Sequence, residues 1–125
     1  PTEREARLSL RDNQMGLVSL SKSLLDKTSA RNILLKLGEE GILVHPGKAN
    51  LSNEVTDRIG ALNHSPKDVA GAGDSLLVSS SLALLCESNI WEAAYIGSIA
   101  AAIQVGRVGN SPIQANEILN HLSKQ

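Results

Sequence analysis

Helical and strand-like periodicities alternate along this 125-residue chain, and the alternation predicts an α/β protein. Leu17, Leu20, Leu24 and Leu25 recur at helical spacing. Two short apolar runs, 32–37 and 42–45, are joined by a turn with a glycine at each end. From residue 71 onward the pattern returns to long helices. With 42% hydrophobic residues and no marked internal boundary, a single domain over 1–125 is expected, burying about two-thirds of its unfolded surface. Aromatics make up only 2% and Phe is absent, so the core must be aliphatic and rich in alanine.

The elements follow in order. Thr2 can cap a helix with Glu5 in capping-box position. A second helix is expected after Gly16, ending near Lys27 and Thr28. Asn32–Leu37 and Ile42–His45 pair as a hairpin across Gly38-Glu39-Glu40-Gly41. Pro46-Gly47 turns the chain, a further strand is expected over 49–55, and 57–70 reads as a loop. A long helix then runs through Cys86, with Leu76, Leu77, Ser80, Ala83 and Leu84 on one face and Cys86 buried as a small hydrophobe. Ile90 and Trp91 open a helix rich in Ala, Gly and Ser, able to approach its neighbours closely or to leave room for a flat ligand. Trp91 and Tyr95, one turn apart, are expected to pack together. Residues 106–112 break that helix, and 114–122 form a terminal one.

Composition removes several functions. Twelve Lys and Arg against 13 Asp and Glu give a net charge of -1, which offers no electrostatic case for nucleic acid or an anionic membrane surface. No apolar run approaches the ~20 residues of a membrane span. A single cysteine excludes an internal disulfide and points to a reducing cytoplasm. His45, His64 and His121 lack ligand spacing and read as surface or structural groups. The start at Pro1 fits a processed chain or an excised fragment.

The chemistry concentrates in Asp68-Val69-Ala70-Gly71-Ala72-Gly73-Asp74, which runs straight into a helix. A Gly-Ala-Gly turn leaves backbone N–H groups uncovered, and the helix adds unpaired amides and the positive end of its dipole. An aspartate there would repel a phosphate, but it suits a carboxylate that takes the proton of a hydroxyl attacking a phosphoryl group. From residue chemistry alone, an ordinary helix-start acid after a plain loop is an equal alternative. The Lys and Ser/Thr of a Walker A loop are absent, as is the third glycine of a dinucleotide fingerprint.

The stretch resembles the D-T-x-G-A-G-D signature of the ribokinase-like (PfkB) carbohydrate kinases. Leu37-Gly38-Glu39-Glu40-Gly41 is similar to that family's T-L-G-x-x-G nucleotide turn, and Pro1-Thr2-Glu3-Arg4-Glu5-Ala6 to its P-N-x-x-E-A segment. The ending Val105-Gly106-Arg107-Val108-Gly109-Asn110-Ser111 looks most like the heptose-7-phosphate kinase domains of bifunctional heptose synthases.

The resemblance implies the C-terminal part of a ribokinase-like, Rossmann-like three-layer fold. It also implies ATP-dependent phosphorylation of a sugar or sugar phosphate. Asp74 would be the general base, and Gly71, Ala72 and Gly73 the anion hole. Lys36, Gly38, Glu39, Gly41 and Gly73 would lie along the nucleotide, with Ser98 on its adenine side. Glu5 would belong to the Mg²⁺ region. A K⁺ site would fall at Asp68, Ala70, Gln104, Arg107 and Gly109. For Arg107, phosphate contact and a favourable place at a helix C-terminus stand as equal readings.

Thr2, Lys36, Val69 and Ser98 stand where the family usually has Asn, Thr, Thr and Asn. These departures suggest a second reading, a nucleotide-binding or regulatory module without catalysis, and a ligand-free structural domain is a third. Family members run to about twice this length and carry the sugar pocket in their N-terminal half, so the isolated chain is expected to be nearly inactive. It would also expose apolar surface, which leaves self-association as an open reading.

Overall fold

The computed structural model describes residues 1–47 and 55–125. They divide into two compact units, 1–60 and 61–125.

In the first unit, helices α1 (Glu3–Leu10) and α2 (Leu17–Thr28) precede strand β1 (Asn32–Lys36), a single 3₁₀ turn (Gly38–Glu40), and strands β2 (Ile42–Pro46) and β3 (Asp57–Ile59). Thr2 and Glu5 make the expected capping box. The Thr2 hydroxyl accepts from the Glu5 amide at 3.1 Å, and a Glu5 carboxylate oxygen accepts from the Thr2 amide at 2.8 Å. The strands form one antiparallel sheet in the order β1-β2-β3, with Leu34 opposite Val44 and Ile42 opposite Ile59. Alternation in β1 sends Ile33 and Leu35 inward, where they meet Ala6, Leu20, Leu24 and Leu43 in an aliphatic core. Burying each leucine there contributes roughly 1.5–3 kcal/mol.

The strand expected over 49–55 lies outside the described residues except for Val55, which is in no regular element. β3 falls where a loop was expected. Two of its three residues are exposed, so backbone pairing to the edge of β2, and no apolar pattern, makes it a strand.

The second unit holds α3 (Ala72–Leu85), α4 (Ile90–Val105) and α5 (Ala115–Leu122). α4 starts from a capping box of Asn89 and Glu92 and buries Ala93, Ala94, Gly97, Ile99, Ala100 and Ala102. Its small residues let α3 come close. A Cβ on Gly97 would collide with the Ser80 hydroxyl and lie 2.9 Å from the Leu76 carbonyl oxygen.

On α3 the expected face divides. Leu76 and Ser80 are buried and Ala83 half-buried, but Leu77 and Leu84 are exposed, as are Val78, Leu82 and Leu85. At about 100° per residue, Leu77 and Leu84 lie about a quarter-turn round from Leu76, beyond the arc that carries Leu76 and Ser80. Cys86, expected to be buried, is exposed. It is the C-cap of α3, where the chain swings outward through Glu87 at φ 64°.

Candidate active site

The turn that starts α3 is built around Gly71, its N-cap, at φ 76°. A side chain is excluded there for two reasons. That φ strains any L-residue, and a Cβ would collide with the Asn110 side chain, 2.8 Å from its Cγ. The Val69 carbonyl accepts from the Ala72 amide at 3.4 Å, and the Gly71 carbonyl from the Ser75 amide at 2.9 Å. Among the described residues the Gly73 and Asp74 amides find no intramolecular acceptor. α3 has no side-chain cap to use them. Two uncommitted N–H groups thus sit at the positive end of a 14-residue helix, where an anion would find donors. The Asp74 side chain in the same turn is exposed, with no hydrogen bond or ion pair among the described residues. Its carboxylate is thus available to accept a proton.

Two segments bracket this turn. The Lys67 and Asp68 amides both donate to the Val105 carbonyl, at 2.7 and 3.2 Å. One Asp68 carboxylate oxygen accepts from the Ala70 amide at 2.9 Å and the other from the Gly109 amide at 3.1 Å. These two backbone donors, Ala70 first, hold the Asp68 carboxyl below the usual carboxylate range. Gln104, 1% exposed, donates from Nε2 to the Gly109 carbonyl at 3.0 Å. Asp68, Ala70, Gln104 and Gly109 are therefore stitched into one patch beside the turn. Arg107 gives its guanidinium to Glu117 of α5 at 2.6 Å. The Ser98 hydroxyl is buried and donates to Ala94 one turn back in its own helix at 2.8 Å.

In the first unit, Pro1 and Thr2 lie parallel to the end of β1, where the Pro1 carbonyl accepts from the Lys36 amide at 2.8 Å. Glu5 shares that corner. The Thr2 amide above all holds its carboxyl below the usual range; burial opposes this, and the Thr2 hydroxyl and the Lys36 charge add smaller contributions in the same direction as the amide. Gly38, Glu39 and Gly41 form the hairpin turn, closed by the Leu37 amide on the Gly41 carbonyl at 2.8 Å. An exposed Glu40–Arg58 pair at 2.9 Å ties that turn to β3. No group of three or more His, Cys, Asp or Glu among the described residues could hold a metal ion. The residue that sequence reasoning missed is Asn110. Its contact with Gly71 joins positions far apart in the chain, and no local pattern signals it.

No family model matches the chain. Among curated proteins, the bifunctional protein HldE of Geotalea uraniireducens is 31% identical over 117 residues, covering 94% of this chain and 23% of the relative. The HldE of Campylobacter fetus is 35% identical over 104 residues, 83% of this chain and 21% of the relative. The chain thus spans less than a quarter of the length of these curated relatives. Among solved structures, ribokinase from Thermotoga maritima superposes with a TM-score of 0.82 at 25% identity, over 98% of this chain and 41% of that one. Ribokinase from Giardia lamblia gives 0.73 at 29%, over 100% and 42%. Phosphofructokinase-2 from Escherichia coli, solved with potassium, gives 0.80 at 15%, a likeness of fold alone. By sequence the chain is similar to part of the HldE proteins, and its fold is that of the ribokinase-like (PfkB) carbohydrate kinases.

Proposed function

We propose that the chain is the C-terminal, nucleotide-side part of a kinase that moves the γ-phosphoryl of ATP to a hydroxyl of a sugar or sugar phosphate. One observation carries the reading: at the start of α3, two amides without acceptors among the described residues stand beside the carboxylate of Asp74, which has no partner among them either. The amides of Gly73 and Asp74 hold phosphoryl oxygens as negative charge spreads over them, which is where positioned donors help such a transfer most. Asp74 takes the proton of the acceptor hydroxyl as its oxygen bonds to phosphorus, while the bond to the β-phosphate oxygen breaks and ADP leaves. Lys36 and the 38–41 turn serve the nucleotide's phosphate and ribose side.

Glu5 is the carboxylate available to a Mg²⁺ ion. One of its oxygens is engaged by Thr2, so a hard divalent cation would keep mostly phosphate and water oxygens around it. The ion would supply neutralisation of phosphate charge. The patch of Asp68, Ala70, Gln104, Arg107 and Gly109 fits a monovalent cation in donor type, being rich in oxygens. The main-chain carbonyls of Asp68 and Ala70 receive no hydrogen bond among the described residues.

The lone exposed cysteine and the use of ATP suit a reducing cytoplasm. No helix among the described residues is long and apolar enough to cross a membrane.

The test is Asp74→Asn in the longer protein that contains this chain, assayed with Mg·ATP and candidate sugars. We expect kcat to fall by about 10²–10⁴-fold, the scale of a lost general base, with ATP affinity nearly unchanged. Turnover near the wild-type rate would remove Asp74 from the mechanism. A non-catalytic nucleotide module is favoured only by Ser98, whose hydroxyl is tied to its own helix. Tight calorimetric binding of Mg·ATP with no transfer to any sugar would select that module.

A further inference from the structure

We propose that Asn110 is a positioning residue that sets the Gly71 turn, through a clasp closed by Asp68 and Gln104. The inference rests on the reading of that turn as a phosphoryl cradle. Gly109 is gripped at both ends of its residue: its amide donates to Asp68 at 3.1 Å and its carbonyl accepts from Gln104 at 3.0 Å. Gln104 is 1% exposed, so its bond to the Gly109 carbonyl is shielded from competing water. The next residue, Asn110, is thereby delivered across the chain, and its side-chain amide lies on the face of Gly71 that a Cβ would occupy.

Gly71 has no side chain to restrict it, and it could leave φ 76° for other regions at little cost. Asn110 stands against Gly71 on the side where a Cβ would be and so limits the turn's freedom there. The Gly73 and Asp74 amides are then held in one direction before any anion arrives, and preorganised donors of this kind need no rearrangement at the moment of transfer. Asp68 makes the link reciprocal. The carboxylate oxygen that does not bind Gly109 accepts from Ala70, immediately before Gly71, so both sides of the turn depend on the same side chain.

The experiment follows the backbone amides of the 125-residue chain by ¹H–¹⁵N NMR, with and without inorganic phosphate, for wild type, Asn110→Ala and Asn110→Asp. In Asn110→Ala we expect the resonances of Gly71, Gly73 and Asp74 to move and their amides to exchange faster, with α5 unchanged. The phosphate response at Gly73 and Asp74 should weaken roughly three- to tenfold as these donors lose their fixed direction. Asn110→Asp keeps the shape and adds a negative charge. It should preserve the resonances of the turn in the absence of phosphate while still weakening the phosphate response, and it stands in if the alanine variant does not fold. Unchanged Gly71–Asp74 amides in Asn110→Ala would overturn the proposal. A wild-type chain whose Gly73 and Asp74 amides ignore phosphate, yet move in Asn110→Ala, would instead overturn the cradle and leave the clasp standing.

Discussion

Replacing Gly97 by alanine tests the close approach of α3 and α4. An added Cβ would meet the Ser80 hydroxyl and sit 2.9 Å from the Leu76 carbonyl oxygen, nearer than real Cβ atoms come to backbone. The two obstacles differ in kind. The Ser80 oxygen is buried without a hydrogen-bond partner, so its side chain can rotate away at little cost. The Leu76 oxygen belongs to α3 and moves only if the helix moves. Overpacking of this sort costs about 1–3 kcal/mol. Alanine returns up to about 1 kcal/mol as the better helix former. The net expectation is a loss of about 1–2 kcal/mol, read as a Tm lower by roughly 3–8 °C in far-UV circular dichroism melts of the chain. Ser80→Ala alone should melt at or slightly above wild type, because it deletes an unsatisfied buried hydroxyl. In the double variant the loss should shrink without vanishing, since the Leu76 oxygen remains. Gly97→Ala melting at or above wild type would show that α3 and α4 do not meet at this point.

Two further outcomes concern stability. Burial first, and the Lys22 charge second, push the His45 imidazole below its ordinary value of 6.5. The unfolded chain therefore binds the proton more readily, and this contribution to stability is present above pH 6.5 and lost as pH falls below it. Tm should decline on acidification from neutral, and His45→Gln should flatten part of that decline; an identical slope in the variant would clear His45 of the effect. At the start of α4, Asn89→Ala removes the oxygen that accepts from the Glu92 amide at 2.9 Å, for an expected loss of about 1 kcal/mol that Asn89→Asp largely restores. Equal melting of all three chains would mean that the cap contributes nothing.

Much of the architecture was legible because local chemistry and tertiary context agree. Thr2 and Glu5 announce the start of α1, the glycine-bounded turn announces the hairpin, and the small residues of α4 announce a close neighbour. β3 was not legible, since a three-residue strand with two exposed side chains is made by its partner's edge. Leu77, Leu84 and Cys86 were misplaced for a different reason. α3 is apolar around its whole circumference, so periodicity cannot say which arc will be covered. The chain matches 41% of the Thermotoga ribokinase. At the site, Gly71 and Asp74 were readable from a motif, whereas Asn110 was not, because its contact is made only once the chain has folded back.

The four departures from the family pattern look different once their atoms are placed. Thr2, where Asn is usual, still caps α1 through its hydroxyl, a task that either residue performs. Val69, where Thr is usual, contributes its backbone carbonyl to the Ala72 amide, and no side-chain hydroxyl is needed for that. Lys36, also where Thr is usual, anchors the Pro1 carbonyl through its amide and brings an added positive charge to the corner that holds Glu5. Only Ser98 is diverted, its hydroxyl spent on Ala94. α1 and α4 begin with capping boxes whose side chains take up first-turn amides, whereas α3, like α2, begins at a glycine without a side-chain cap, and among the described residues its Gly73 and Asp74 amides stay uncommitted. The machinery proposed for transfer is therefore main chain plus one carboxylate, and three of the four substitutions leave the hydrogen bonds of their own positions intact. The bonds at those three positions give no support to the non-catalytic reading, which rests on Ser98 alone.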